Sequence, residues 1–312
     1  MMNKKLKIVF MGTPDFAVPT LSKLYNDNNL DIEYVLTKAD AKSSRGQKVT
    51  QSKVKEKALE LGLKILQPIK LRDDRDVIEK IKSAEPDFII VVAYGQILPK
   101  VVLDIPKYAC INGHASLLPK YRGSSPIQSA ILCGEEKTGV TTMLMDEGLD
   151  TGDILKQVEV TIEKKETGES LFDKLSVITA EAIHETILHF DKIKPMKQDD
   201  SAATKSVIIK KEFGKIDFEN ETATEIDRKV RAYNSWPSAF FSENGIDYKI
   251  WDADVVDGVI DLSNAKCIFK NVFILDNMLY AKCKDGILKI NVIQKSGKNR
   301  LSSKDFINGF KI

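Results

Sequence analysis

An amide, an imidazole and a carboxylate stand where they could act on one reacting centre: Asn112 and His114, two residues apart, and Asp150 further along the chain. Residues 108–112 are a short apolar run after the break at Pro106, so they read as a buried strand ending at His114. Residues two apart in a strand face the same side, so Asn112 and His114 project together at the strand's carboxyl end. In an open α/β sheet that end is where ligands bind. A second strand over 140–145 returns to the sheet and delivers Asp150 within Gly148-Leu149-Asp150-Thr151-Gly152-Asp153. A carboxylate beside an imidazole orients it and favours its charged form, which is what a general acid/base needs.

Two blander readings compete. Asn112-Gly113 is a common signal for a tight hairpin turn. Such a hairpin needs a second strand starting at His114, and Leu118-Pro119 cuts that strand short. A lone strand histidine is often a core residue. The other two histidines, His184 and His189, sit five apart in a helical segment, at neither helix-neighbour nor metal-ligand spacing, whereas His114 lies at a loop with polar neighbours.

The elements that must position these groups follow a repeating pattern. Apolar runs at 6–11, 32–37, 64–67 and 87–93 read as strands, and 51–61 and 73–83 as helices between them. The helix after the first strand is expected to be capped by Asp15, with Pro19 in its first turn. This start has no Gly-x-Gly-x-x-Gly, and Pro14 and Phe16 fill the space a pyrophosphate needs, so a dinucleotide site is excluded while the fold class stands. Helices at 126–133 and 167–190 and strands at 138–145 and 154–160 complete a Rossmann-like, mostly parallel α/β sheet covered on both faces, over residues 1–190. Residues 193–206, with Pro195, Asp199, Asp200 and Ser201 and no apolar period, read as part of a linker over 191–208. Residues 209–312 hold a helix at 223–233 and then short strands joined by hairpins at Asn244-Gly245 and Asp285-Gly286, the pattern of a small OB-like β-barrel. Trp236 is expected in the core of that domain.

Composition sets the outer bounds. The chain has 312 residues, 43% hydrophobic and 29% charged, enough for two cores and not a disordered polymer. Four scattered cysteines without Cys-x-x-Cys give no zinc site, so no metal is expected. A polar start over residues 1–7 and the lack of a long apolar run predict a cytoplasmic protein without a membrane anchor. Net charge of +2 is silent about nucleic acid, so local patches matter more. Residues 38–57 carry seven Lys/Arg against Asp40 and Glu56, and residues 282–311 carry eight against Asp285 and Asp305. Either is a solvated surface or a contact for a phosphate backbone.

The motifs together carry a resemblance. Asn112-x-His114, Ser116-Leu117-Leu118-Pro119, Arg122-Gly123, Pro126-Ile127-Gln128 and Leu149-Asp150-Thr151-Gly152-Asp153 resemble the methionyl-tRNA formyltransferase family. Gly12-Thr13-Pro14-Asp15-Phe16-Ala17, Val92-Ala93-Tyr94-Gly95 with Ile97-Leu98-Pro99, and Arg231-Ala232-Tyr233-Asn234-Ser235-Trp236-Pro237 extend the likeness across the chain. The resemblance implies the co-substrate 10-formyltetrahydrofolate, the acceptor initiator methionyl-tRNA, catalysis by Asn112, His114 and Asp150, folate walls at Ser116, Leu117, Leu118 and Pro119, and tRNA contacts at Arg45 and Lys48. It implies no metal and no obligatory protein partner, and makes the C-terminal barrel a tRNA-binding domain. One departure is Gly113, where the family usually has an apolar residue; a glycine there is expected to loosen the strand end. Two other readings share the same residues: a folate-dependent formyltransferase acting on a nucleotide-linked amino-sugar, and a catalytically idle RNA-binding homologue.

Overall fold

In the computed structural model of the chain, residues 5–42 and 49–309 are described. The apolar runs form β1 (Leu6–Gly12), β2 (Leu30–Leu36), β3 (Ile65–Leu66), β4 (Phe88–Val92) and β5 (Ala109–His114), all parallel. Beyond β5, β6 (Lys137–Leu144) and β7 (Ile154–Thr161) each run antiparallel to the strand before. The order across this seven-stranded sheet is β7-β6-β5-β4-β1-β2-β3. Every residue of β4 and β5 is buried, as strands covered on both faces require. The connections between parallel strands carry α1 (Val18–Tyr25), α2 (Lys53–Glu60), α3 (Arg75–Ser83) and α4 (Lys100–Leu103). α3 shows how the sequence dictates them: Asp74 accepts from the Val77 N–H as cap, and Val77, Ile78 and Ile81 bury one face. α5 (Pro126–Cys133) follows β5, and α6 (Gly168–Leu188) follows β7.

The start of the first helix differs from expectation. Residues 15–17 form a 3-10 turn with Pro14 at its cap position, and Asp15 Oδ1 accepts from the neighbouring Phe16 N–H at 3.1 Å; α1 itself begins at Val18. Pro19 favours this stepped entry, because a helix continuous from Asp15 would need its missing N–H to donate to the Asp15 carbonyl.

The chain divides into two compact units, Met1–Pro126 with Lys137–Thr161 and Phe172–Ser206, and Ile127–Glu136 with Ile162–Leu171 and Val207–Ile312. The second contains α7 (Ala223–Ala232), entered through a capping box between Thr222 and Glu225. There β8 (Ala239–Glu243), β9 (Ile246–Val255), β10 (Lys266–Cys267), β11 (Val272–Leu275), β12 (Met278–Lys282), β13 (Ile287–Lys295) and β14 (Leu301–Ser302) form an antiparallel half-barrel ordered β8-β9-β13-β12-β11-β10, with β14 on β13. Ile226 and Val230 of α7 and Phe306 of α8 (Ser303–Gly309) pack with Ile250, Leu279, Leu288 and Ile290 in its core. The Asn244-Gly245 hairpin is present, with φ of 50° and 75° as a tight turn of that hand requires. Trp236 is not in the core: it is 56% exposed, in a turn whose Ser235 and Ser238 lie in the left-handed region.

Up to Ser206 the segment read as a linker groups with the first unit and is tied to it at several points. Met196 and Ile154 exchange backbone hydrogen bonds of 2.8 and 2.9 Å, and Lys205–Ser206 pairs in parallel with Arg122–Gly123. Among the described residues, no helix is long and apolar enough to cross a membrane.

Candidate active site

β5 carries two of the three groups because it pairs in parallel with β4 on one side and antiparallel with β6 on the other, which fixes its register to its last residue. Asn112-Gly113 therefore lies inside the strand, with Asn112 opposite Met143, Gly113 opposite Thr142 and His114 opposite Thr141. Gly113 is not a loose point. A Cβ built on it would stand 2.6 Å from Thr179 Cγ2 and 3.3 Å from Ile183 Cγ1, so the missing side chain lets α6 press against the strand. The expectation of a loosened strand end is corrected by that close approach.

Asn112 and His114 converge on Asp150. Asn112 Nδ2 donates to Asp150 Oδ1 at 3.4 Å, His114 Nδ1 lies 3.6 Å from Asp150 Oδ2, and the Gly123 N–H donates to that same Oδ2 at 2.8 Å. The His114 and Asp150 side chains are only 7% and 13% exposed, so water screens their interaction weakly. His114 Nε2 lies 3.0 Å from the Tyr121 carbonyl oxygen. A carbonyl only accepts, so Nε2 bears hydrogen, and Nδ1 is the nitrogen left to exchange a proton. Asp150 sits at φ 55°, a conformation Asp adopts more readily than most residues.

The segment after β5 is pinned from beneath. Thr141 Oγ1 donates to the Ser116 carbonyl at 2.6 Å and accepts from the Leu118 N–H at 3.1 Å, while Gln157 Nε2 donates to the Leu118 carbonyl at 2.8 Å. Ser116 is buried and its hydroxyl donates to the Lys120 carbonyl, Leu118 is buried, and Leu117 and Pro119 reach the surface in part. A second wall follows β4, where Ala93 and Gly95 have φ of 48° and 76°. Thr13 Oγ1 donates to the Tyr94 carbonyl at 2.8 Å, and Gln96 accepts from the Leu71 N–H at 2.8 Å. Burial pushes the Tyr94 phenol well above its usual range, and among the described residues its hydroxyl has no hydrogen-bond partner. Ile97, by contrast, is 81% exposed. Burial likewise pushes the Cys110 thiol, near the amino end of β5, up to about 12.

Sequence reasoning missed Gln198. It is buried, its Nε2 donates to the carbonyls of Asp150 and Gly152, and its Oε1 accepts from Arg122. The only signal for it in the sequence was a polar residue inside a segment with no apolar period. Arg45 and Lys48 lie outside the described residues. Of the cations around them, Lys53 pairs with Glu56 at 2.7 Å, Lys55 with Asp40 at 2.6 Å and Lys57 with Glu60 at 2.8 Å. Among the described residues, no three His, Cys, Asp or Glu side chains group as a metal site would need.

This geometry can be set beside known proteins. Residues 6–187 match the family described as "Formyl transferase", and residues 208–311 match "Formyl transferase, C-terminal domain". The "Methionyl-tRNA formyltransferase" of Lachnospira eligens is 44% identical over 313 residues, covering 97% of this chain and 96% of that protein. The protein of the same name from Clostridium acetobutylicum is 45% identical, covering 97% and 96%. Among solved structures, methionyl-tRNA formyltransferase from Clostridium thermocellum has a TM-score of 0.58 at 21% identity, covering 82% of this chain and 96% of its own. An N-formyltransferase from Helicobacter canadensis, in complex with folinic acid and dTDP-3-aminofucose, has a TM-score of 0.67 at 20% identity, covering 93% and 99%. At such identities these two structures share the fold.

Proposed function

The chain belongs to the formyl transferase family, and from that premise we propose that it transfers the formyl group of 10-formyltetrahydrofolate to the α-amine of initiator methionyl-tRNA, giving N-formylmethionyl-tRNA for translation initiation in the cytoplasm. The observation that carries this reading is that relatives named methionyl-tRNA formyltransferase match at 44 and 45% identity across both units, not only across the one holding Asn112, His114 and Asp150. Among the solved structures the methionyl-tRNA enzyme at 21% and the amino-sugar enzymes at 20 and 22% share the fold alike, so the choice between the two acceptors rests on the relatives at 44 and 45%.

The reaction forms a bond from the amine nitrogen to the formyl carbon, breaks the bond from that carbon to N10 of the folate, and moves one proton from the amine to N10. Oxygen gains charge as the amine adds. Asn112 Nδ2, with one hydrogen turned to Asp150, has a second to offer that oxygen. His114 acts through Nδ1, because Nε2 is held by the Tyr121 carbonyl; protonated there, it donates a charge-assisted bond to the same oxygen. Asp150, next to Nδ1 and held by the Gly123 amide, supports the charge on His114 and relays the proton from amine to N10. The folate substrate supplies the formyl carbon, and the residues fit it: Ile97, Leu117 and Pro119 offer apolar surface, with the exposed, left-handed Ala93 and Gly95 beside it.

For the RNA, the second unit offers Trp251, whose ring is covered by the Arg300 guanidinium at 3.3 Å and approached by Lys249 at 5.5 Å. Exposed Lys282, Lys284, Lys295, Lys298 and Lys304 belong to the same unit. Such a mixture of cations and aromatic faces suits a nucleic-acid backbone with unpaired bases. Incubation of the purified chain with labelled formyl donor and charged initiator tRNA, beside elongator tRNA and a nucleotide-linked amino-sugar, tests the proposal. Label on the initiator alone is the expected outcome. Label on the sugar would replace it with the amino-sugar reading, and folate binding without any turnover would leave an idle homologue.

A further inference from the structure

We infer that Gln198 is a positioning residue for formyl transfer, holding Asp150 against His114 and Asn112 from a segment that crosses beneath the site. The inference rests on the proposed role of Asp150. Gln198 is 5% exposed although its neighbours in the chain are Lys197 and Asp199. Its whole hydrogen-bonding capacity is spent on two stretches of the site. Nε2 donates to the Asp150 carbonyl at 2.9 Å and to the Gly152 carbonyl at 2.7 Å, while Oε1 accepts from Arg122 Nε at 3.0 Å and Nη2 at 2.8 Å.

The two arms act on the same carboxylate. One grips the backbone of Asp150 in a left-handed conformation that residues with a Cβ seldom adopt. The other fixes Arg122, whose chain neighbour Gly123 gives its N–H to Asp150 Oδ2 at 2.8 Å. Arg122 is itself buried, and Asp200, two residues beyond Gln198, holds its Nη2 from the far side at 2.8 Å. The segment cannot slide past the site. Met196 is paired to Ile154, Thr204 Oγ1 accepts from the Tyr121 N–H at 2.8 Å, and the Thr204 carbonyl accepts from the Arg122 N–H at 2.9 Å. Tyr121 is also the residue whose carbonyl holds His114 Nε2. One amide side chain thus sets the spacing between the imidazole anchor and the carboxylate. Misplacement of a reacting group by about 1 Å is enough to cost roughly 10²-fold in rate.

The test uses the full chain with Gln198→Glu and Gln198→Met, each alone and combined with Asp150→Asn. Gln198→Glu keeps an acceptor for Arg122 but turns carboxylate oxygen toward the two carbonyls; Gln198→Met removes both arms. Thermal melting, kcat, and KM for tRNA and for folate are measured. The expected result is a melting transition kept in Gln198→Glu, kcat lowered by roughly 10²-fold at nearly constant KM, and less than about twofold further loss when the change is made on Asp150→Asn. Full additivity on that background overturns the inference, as does wild-type kcat in either folded variant or loss of the folded state in both, which would make Gln198 a scaffold residue. A wild-type rate for Asp150→Asn alone would instead remove the role of Asp150, and with it this one. A collapsed Asp150→Asn beside an unimpaired Gln198→Glu overturns the positioning alone.

Discussion

His114 has one ring nitrogen committed to the Tyr121 carbonyl and the other facing Asp150, so the ring is held in one orientation, and in the proposed reaction it would act on the transition state more than on binding. His114→Ala is expected to lower kcat by at least about 10²-fold, roughly 3 kcal/mol, with tRNA affinity close to wild type. Steady-state kinetics beside a filter-binding measurement checks this, and activity within a fewfold of wild type in a folded variant takes His114 out of the mechanism. Asp150→Asn separates shape from charge. The amide oxygen still accepts from Gly123, so the loop is kept while the anion beside Nδ1 is lost. Turnover should fall by a comparable order, about 10²-fold; if it stays near wild type, Asp150 anchors the loop and nothing more. The pair at 112 and 114 was legible in the sequence because strand periodicity is local. The groups that hold the triad were not. Tyr121, Gly123 and Gln198 lie 7, 27 and 48 residues from their partners, at separations no local pattern encodes.

Between elements, the decisive packing is that of β5 with α6. Thr179 Oγ1 bonds back to the Leu175 carbonyl at 2.7 Å, which leaves its methyl group pointing at the bare Cα of Gly113. Further along the same helix, Thr186 Oγ1 and Thr142 Oγ1 meet at 2.8 Å in a buried pair that ties α6 to β6. A methyl added at Gly113 has nowhere to go without moving the helix or the strand end. Gly113→Ala should destabilise the chain by about 1–3 kcal/mol through overpacking. The urea midpoint should fall at unchanged slope, and kcat should fall with it if the strand end shifts. An unaltered midpoint would mean that α6 yields freely. Alternating apolar runs exposed the parallel sheet in the sequence, because a strand buried on both faces must be apolar throughout. Composition hid Gln198 and Thr204 within 193–206, where these two bond to backbone around the site while most of their polar neighbours stay exposed, and it hid the exposure of Trp236. A single polar residue spent on buried hydrogen bonds looks, in sequence, like its neighbours left in solvent.

At the scale of the whole chain, 47 cations against 45 acids conceal local surpluses, and the structure narrows one of them. Of the seven Lys/Arg between 38 and 57, Lys53, Lys55 and Lys57 are paired with carboxylates, and the Lys55 side chain is only 15% exposed. The candidates for a phosphate backbone are then Lys38, whose ammonium lies over Gly95 at the second wall of the site, and, from the sequence, Lys42, Arg45 and Lys48. Arg45 is the best suited chemically, since a guanidinium can hold two phosphate oxygens or stack on an unpaired base. Arg45→Ala is therefore expected to raise KM for tRNA at unchanged KM for folate, and to flatten the dependence of tRNA affinity on salt by just under one in the logarithmic slope, about 0.7 to 0.9 for each phosphate no longer neutralised. Lys55→Ala removes the same charge from a residue already paired with Asp40, so its slope should change less. Titration of tRNA binding at several salt concentrations for the three proteins reads both effects. Equal slopes for Arg45→Ala and wild type, or a defect confined to folate, would return the segment to a solvated surface, and equal effects of the two substitutions would show that net charge, not position, governs the encounter.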